Sequence, residues 1–169
     1  MEEESPVGVL KEGDPHYTAV GRVASTWAFL EMLIDTKIRD LIDADDKAVA
    51  CVTAQFIGPA PRLNALISLM RLRGVPASVV EEAESFSGRM QGLGTKRNRV
   101  VHDPLFGSVE GQVYAARTSA KGTLIYSFEP VSLQEMVNVA KQIDKAITDW
   151  LAIEFRIVPE APEEVPEIE

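Results

Sequence analysis

Apolar residues return at intervals of three and four over most of the chain. Val20, Val23, Trp27, Leu30, Ile34, Ile38 and Leu41 fall on one stripe, which predicts a helix from Pro15 to about Leu41 or Ile42. Asp14-Pro15 marks its start: the aspartate can accept from first-turn N–H groups, and proline lacks an N–H where none is needed. Asp45 and Asp46 open a shorter helix through Ala48, Val52 and Phe56, ended by Gly58-Pro59-Ala60-Pro61. Leu63, Leu66, Ile67 and Met70 form the apolar face of a third, which Gly74 and Pro76 stop. Ser78-Val79-Val80-Glu81 has the pattern of a capping box, and the stripe behind it runs through Val79, Ala83, Phe86, Met90 and Leu93 to Arg97, then Val100 and Val101. An arginine thus interrupts an apolar seam. Gly92 and Gly94 favour a kink or break just before it, and Asp103-Pro104 ends the helix.

Beyond Pro104 the period changes. Val113–Thr118 and Thr123–Phe128 read as two short strands joined across Ser119-Ala120-Lys121-Gly122. Ser132-Leu133-Gln134-Glu135 is a second capping-box pattern, with Val131 and Met136 placed as a hydrophobic staple. Met136, Ala140, Ile143, Ile147 and Trp150 then give the stripe of a last helix. The expected fold is all-α: an antiparallel bundle of four to five helices over residues 15–157, with a small β-hairpin at about 113–128 before the last helix. No internal repeat interrupts it.

A length of 169 residues fits one domain, and 46% apolar with 25% charged residues is enough to build a core. The single cysteine, Cys51, leaves no partner for an intramolecular disulfide and no set of thiolates for zinc or an iron–sulfur cluster. It falls on the apolar face expected for the second helix and is assigned to the core. An acidic N-terminus in place of a basic secretory leader, and no apolar run of ~18 residues, lead to the expectation of a cytoplasmic protein without a membrane partner.

The net charge of −9 is unevenly distributed. Residues 1–14 form an acidic segment at −4 and residues 158–169 a Pro/Glu tail at −5, expected to be disordered, so residues 15–157 are neutral. Within them, Arg62 to His102 carries seven bases against three glutamates, a stretch suited either to a solvated helix surface or to a phosphate-attracting face.

Most chemical signatures are missing. No phosphate-binding glycine loop and no Gly-x-Ser-x-Gly elbow occur, and two histidines, His16 and His102, make a histidine metal cluster improbable; no metal site and no cofactor are assigned. His16, in a first helical turn, reads as a solvated surface residue. What remains is Lys96-Arg97-Asn98-Arg99-Val100-Val101-His102-Asp103-Pro104. Arginine supplies a permanent planar cation for a phosphate, histidine a group that exchanges a proton near neutral pH, and asparagine both a donor and an acceptor. These suffice to cleave RNA without metal, because the 2′-hydroxyl beside the phosphorus needs only a base and a cation to hold the phosphoryl charge.

Arg97-Asn98-x-x-x-His102 resembles the Arg-x(4–6)-His motif of the HEPN superfamily, in which a polar residue often follows the arginine directly. The resemblance implies a helical bundle, often dimeric, with the motif near the end of a late helix. It also implies a metal-independent endoribonuclease of toxin–antitoxin, phage-defence or RNA-processing type, with RNA as substrate and an antitoxin or regulatory protein as partner. Arg97 would bind the scissile phosphate, His102 would transfer protons and Asn98 would orient the site, with Lys96 and Arg99 as accessory RNA-binding residues. The chain departs from HEPN toxins of nucleotidyltransferase pairs, which commonly carry a tyrosine where it has Pro104. Non-catalytic relatives, the mannitol-repressor-like proteins, share a proline-punctuated helix pair followed by Arg-Asn-x-x-x-His, so a regulatory or partner-binding module is the alternative.

At about 100° per residue, Arg97 and His102 lie about 140° apart around a continuous helix. One chain is therefore expected to struggle to aim both at one phosphate, and a homodimer groove to bring them together. Arg97 could instead pair with an acid from another helix, with Glu31 the nearest candidate by stripe position.

Overall fold

The computed structural model describes residues 8–42, 44–119 and 124–158, which are mainly helical with a small antiparallel sheet. The first helix, α1 (Pro15–Ile42), starts where the sequence places it. Asp14 Oδ1 accepts from the His16 N–H at 2.9 Å and lies 2.8 Å from the ring Nδ1 of the same residue. His16 is therefore not a solvated surface residue: the cap draws its ring inward until the side chain is 12% exposed. Val23, Trp27, Leu30, Ile34, Ile38 and Leu41 are buried along the expected stripe.

In α2 (Asp46–Thr53), Asp45 caps through its carboxylate, which accepts from the Lys47 and Ala48 N–H groups. The helix stops short of Phe56 and buries Val49 and Thr53 instead of Ala48 and Val52. Cys51, two residues from Val49 and so roughly 200° around the helix, is exposed rather than in the core. A two-turn helix buries only one such pair, and composition does not say which.

Gly58, at φ 79°, leads into α3 (Pro59–Leu72). The prolines that end the preceding segment thus also begin this helix, where their missing N–H groups have no partners to lose. Leu63, Leu66, Ile67 and Met70 are buried as expected. The next helix, α4 (Ala77–His102), starts one residue before Ser78, because the Pro76 carbonyl accepts from the Val79 and Val80 N–H groups at 2.9 and 3.2 Å. Ser78 lies inside the helix and does not cap it. The helix also continues unbroken through Gly92 and Gly94; a glycine penalty of about 1 kcal/mol each is offset by buried Val79, Ala83, Phe86 and Met90.

The expected hairpin is part of a larger sheet. Strands β1 (Gly8–Val9), β2 (Leu105–Gly107), β3 (Val113–Ser119) and β4 (Ile125–Pro130) pair in that order, all antiparallel. β3 and β4 are the hairpin arms, with Ala116 opposite Phe128. The two additional strands have two and three residues, too short for alternation to register in a sequence. β1 comes from the stretch that charge alone marks as an acidic segment. Residues 120–123 of the hairpin connection and the acidic tail from residue 159 lie outside the described residues. The last helix, α5 (Leu133–Glu154), follows Ser132, whose carbonyl accepts from the Glu135 and Met136 N–H groups.

The chain divides into two compact units. One comprises the described residues of Met1–Phe29 and Leu93–Lys145, and includes the sheet. Its interior holds Val23, Trp27, Ala115, Met136, Ala140 and Ile143. The other comprises those of Leu30–Gly92 and Ala146–Glu169, with a core around Leu63, Leu66, Met70, Phe86 and Trp150; the rings of the last two are 5.7 Å apart. Among the described residues no helix is long and apolar enough to cross a membrane.

Arg62 is buried in the second unit, with Nε 2.6 Å from Asp35 Oδ1 and Nη1 2.9 Å from Glu31 Oε1. Arg62→Ala would leave two carboxylates unpaired and should lower unfolding stability in urea by about 3 kcal/mol. Glu31→Gln, which leaves the Asp35 bond in place, should cost less. At the start of α1, the backbone N–H and then the ring of His16 hold the Asp14 carboxyl below its usual range. A carboxyl depressed in the folded state stabilises above its ordinary pKa of about 4, and that contribution is lost as pH falls through the lower folded value. Asp14→Ala should therefore cost about 1 kcal/mol at neutral pH, and thermal melts should show the deficit closing only below about pH 4.

Candidate functional site

The last two turns of α4 carry all five candidate residues, and helical periodicity divides them. Lys96, Arg99, Val100 and Asp103 share one side; Arg97, Asn98, Val101 and His102 share the other. The two groups meet different surroundings.

On the second side, Arg97 is half-buried while Asn98 and His102 are exposed. Its guanidinium carbon sits 5.8 Å from the ring centroid of buried Trp27, so the cation rests against an indole. Nη1 donates to Asn98 Oδ1 at 3.0 Å and lies 3.1 Å from His102 Nε2. The Arg97 Nε is buried and has no hydrogen-bond partner among the described residues. Among the described residues no carboxylate neutralises the guanidinium; Glu31, the candidate by stripe position, is bound to Arg62 instead. A single chain thus brings Arg97 and His102 together, contrary to the angular expectation. The angle of about 140° describes where Cβ atoms point, whereas the arginine stem is long enough to carry its head across that gap.

The contact also defines a protonation pattern. A guanidinium has donors only, so the bond to His102 requires a lone pair on Nε2 and places the ring proton of the neutral imidazole on Nδ1. The arrangement is a cation fixed beside a basic nitrogen, both reachable from solvent. It can hold an anionic oxygen and accept a proton from a neighbouring hydroxyl.

On the first side, Lys96 Nζ donates to Gln142 at 2.9 Å, while exposed Arg99 borders a cleft of about 570 Å³ between α4, the sheet and α5. Arg117 of β3 also lines it, bonded to Asp103 at 3.3 Å and paired with Glu129. Sequence reasoning passed over Arg117, although its place in the alternation of Val113, Ala115 and Arg117 on the buried face of a strand was a signal. Trp27 was recognised as core and not as the support for a cation. Lys96 and Arg99 therefore do not converge with Arg97 and His102.

The basic stretch from Arg62 to His102 is neutralised only in part, with Arg62 held by Glu31 and Asp35. Arg71 pairs with Glu84 and Arg89 with Asp149, and Arg73 donates to the carbonyls of Leu41 and Ile42. Arg73 and the end of the stretch, from Lys96 onwards, keep cations without carboxylate partners among the described residues. No cluster of three or more histidine, cysteine or acidic residues able to hold a metal occurs among the described residues.

The His102 tautomer can be read directly. Nitrogen-15 shifts at mildly alkaline pH should show the proton on Nδ1, opposite to the preference of free imidazole, and Arg97→Ala should restore the ordinary tautomer. Comparison with protein-family models, curated proteins and solved structures returns no match to this chain.

Proposed function

We propose that the chain is a HEPN-type, metal-independent endoribonuclease acting as a homodimer of antiparallel helical bundles. The observation that carries this is the Arg97–His102 pair: a guanidinium without a carboxylate partner, 3.1 Å from an imidazole nitrogen, beside exposed Asn98. In the resting protein Arg97 occupies the His102 lone pair. An RNA phosphate competes for the guanidinium donors, and its arrival frees Nε2 next to the bound phosphoryl group.

His102 then takes the 2′-hydroxyl proton as general base, and the 2′-oxygen attacks phosphorus. The P–O5′ bond breaks, giving a 2′,3′-cyclic phosphate, and the partner subunit's His102, protonated, supplies the proton to the departing 5′-oxygen. Arg97 stabilises the charge that develops on the non-bridging oxygens, and Asn98 orients the guanidinium through the Oδ1 bond.

A second possibility has its own support. Among the described residues the polar contacts of Arg97 are all within α4, as they would be if the pair only fixed the helix end in a regulatory or partner-binding module. Incubation with single-stranded RNA in EDTA separates the two. The nuclease should leave 2′,3′-cyclic phosphate ends, and Arg97→Ala or His102→Ala should slow cutting about 100-fold or more with helical circular dichroism retained. Folded variants that cut as fast as the parent, or a parent that cuts nothing, would reject the enzyme.

A further inference from the structure

Ten arginines lie among the described residues, and nine have a polar partner: a carboxylate, a hydroxyl, a carbonyl or, for Arg97, Asn98 and His102. Arg99 has none among the described residues, and it lines the cleft on the side of α4 away from Arg97 and His102. Lys96, one turn earlier on the same wall, gives one hydrogen bond to Gln142 and has further donors to offer. Arg117 contributes little free charge, being tied to Asp103 and Glu129. The cationic end of the cleft is therefore Arg99 with Lys96.

At the other end stands Glu135, in the first turn of α5, with no side-chain partner among the described residues. Gln142 and Glu135 are seven residues apart on α5, about 10 Å along the helix. Between them the cleft is lined by half-buried Val100 together with the buried Met136 and Val139, an apolar strip. Its volume of about 570 Å³ lies in the range of small-molecule sites.

An anion-binding end, an apolar strip and an acceptor end describe a ligand with the opposite features in the same order. An aliphatic acid matches the first two but offers no donor to the exposed Glu135 carboxylate. We propose that the cleft binds a nucleoside monophosphate, with the phosphate on Arg99 and Lys96, the base against Val100, Met136 and Val139, and the base edge facing Glu135. A carboxylate accepts only, and guanine is the base whose edge offers two adjacent N–H donors. The ligand is accordingly a guanosine monophosphate. This site lies on the other side of α4 from the proposed nuclease pair, so it stands or falls independently of RNA cleavage.

Calorimetric titration of the full chain with GMP, AMP, ribose 5-phosphate, octanoate and inorganic phosphate tests this. GMP should bind saturably below millimolar concentration and more tightly than the other four. Arg99→Ala, a change at an exposed position, should weaken GMP at least about tenfold with circular dichroism unchanged. Glu135→Gln should bring GMP and AMP to similar affinity while leaving ribose 5-phosphate as it was. Absence of saturable GMP binding, equal binding of inorganic phosphate or octanoate, an unaffected Arg99→Ala protein, or a GMP preference that survives Glu135→Gln would each overturn the proposal.

Discussion

A helix that buries an apolar stripe over most of its length and then places an arginine in the same stripe must accommodate a charge that cannot be neutralised by losing a proton. Arg97 poses that constraint in α4. Desolvating it fully without a partner would be prohibitive, and no carboxylate is supplied among the described residues. The chain resolves this by laying the guanidinium against Trp27 and turning its polar edge to Asn98 and His102 at the exposed end of the helix. The result is a cation held by packing and not by a counter-charge. That is an arrangement with spare capacity for an anion.

The contrast with Arg62 sharpens this. Both arginines sit on the faces their helices turn inward, yet Arg62 is closed off by Glu31 and Asp35 at hydrogen-bonding distance. A guanidinium saturated by two carboxylates is a structural cross-link and has little left for a ligand. Arg62, Arg71 and Arg89, three of the seven bases in residues 62–102, are thus paired with carboxylates inside the second unit. Sequence charge counts cannot see this, because the neutralising acids at positions 31, 35 and 149 come from distant parts of the chain.

Legibility in the sequence follows the same division between local and distant causes. The long helices were readable because burial enforces a period that repeats many times: the stripes of α1, α3 and α5 are buried almost residue by residue. Asp14 and Asp45 were readable as caps because their hydrogen bonds reach only two or three residues ahead. Short elements were not. The two-residue β1 and three-residue β2 acquire their identity only from the partner strand, through pairs such as Val9 with Phe106 and Leu105 with Ala115. The α2 face went astray for a related reason, since two turns contain too few positions to fix a phase, and Cys51 was misplaced with it. At the candidate site, the residue types were legible and their grouping was not. Angular spacing separated Arg97 from His102 because it ignores the length of a side chain, and it joined neither to Trp27, seventy residues away.

Helical periodicity gives the end of α4 two chemically different sides from one run of eight residues. Arg97 and His102 engage each other through Nη1 and Nε2, which leaves the Arg97 Nε without a partner among the described residues and the pair dependent on an incoming anion to separate it. Arg99 engages nothing among the described residues and faces a cleft whose apolar strip comes from α5 and α4. The difference bears on what each side tolerates. Replacing Arg97 removes the cation over Trp27 and the donor to His102 together, so packing and chemistry change at once. Replacing Arg99 removes an exposed charge and little else, so an effect on ligand binding there cannot be ascribed to a collapsed core. The basic character of the segment is therefore not a single surface: one cation is held in place by what it packs against, and the other has nothing among the described residues to hold it.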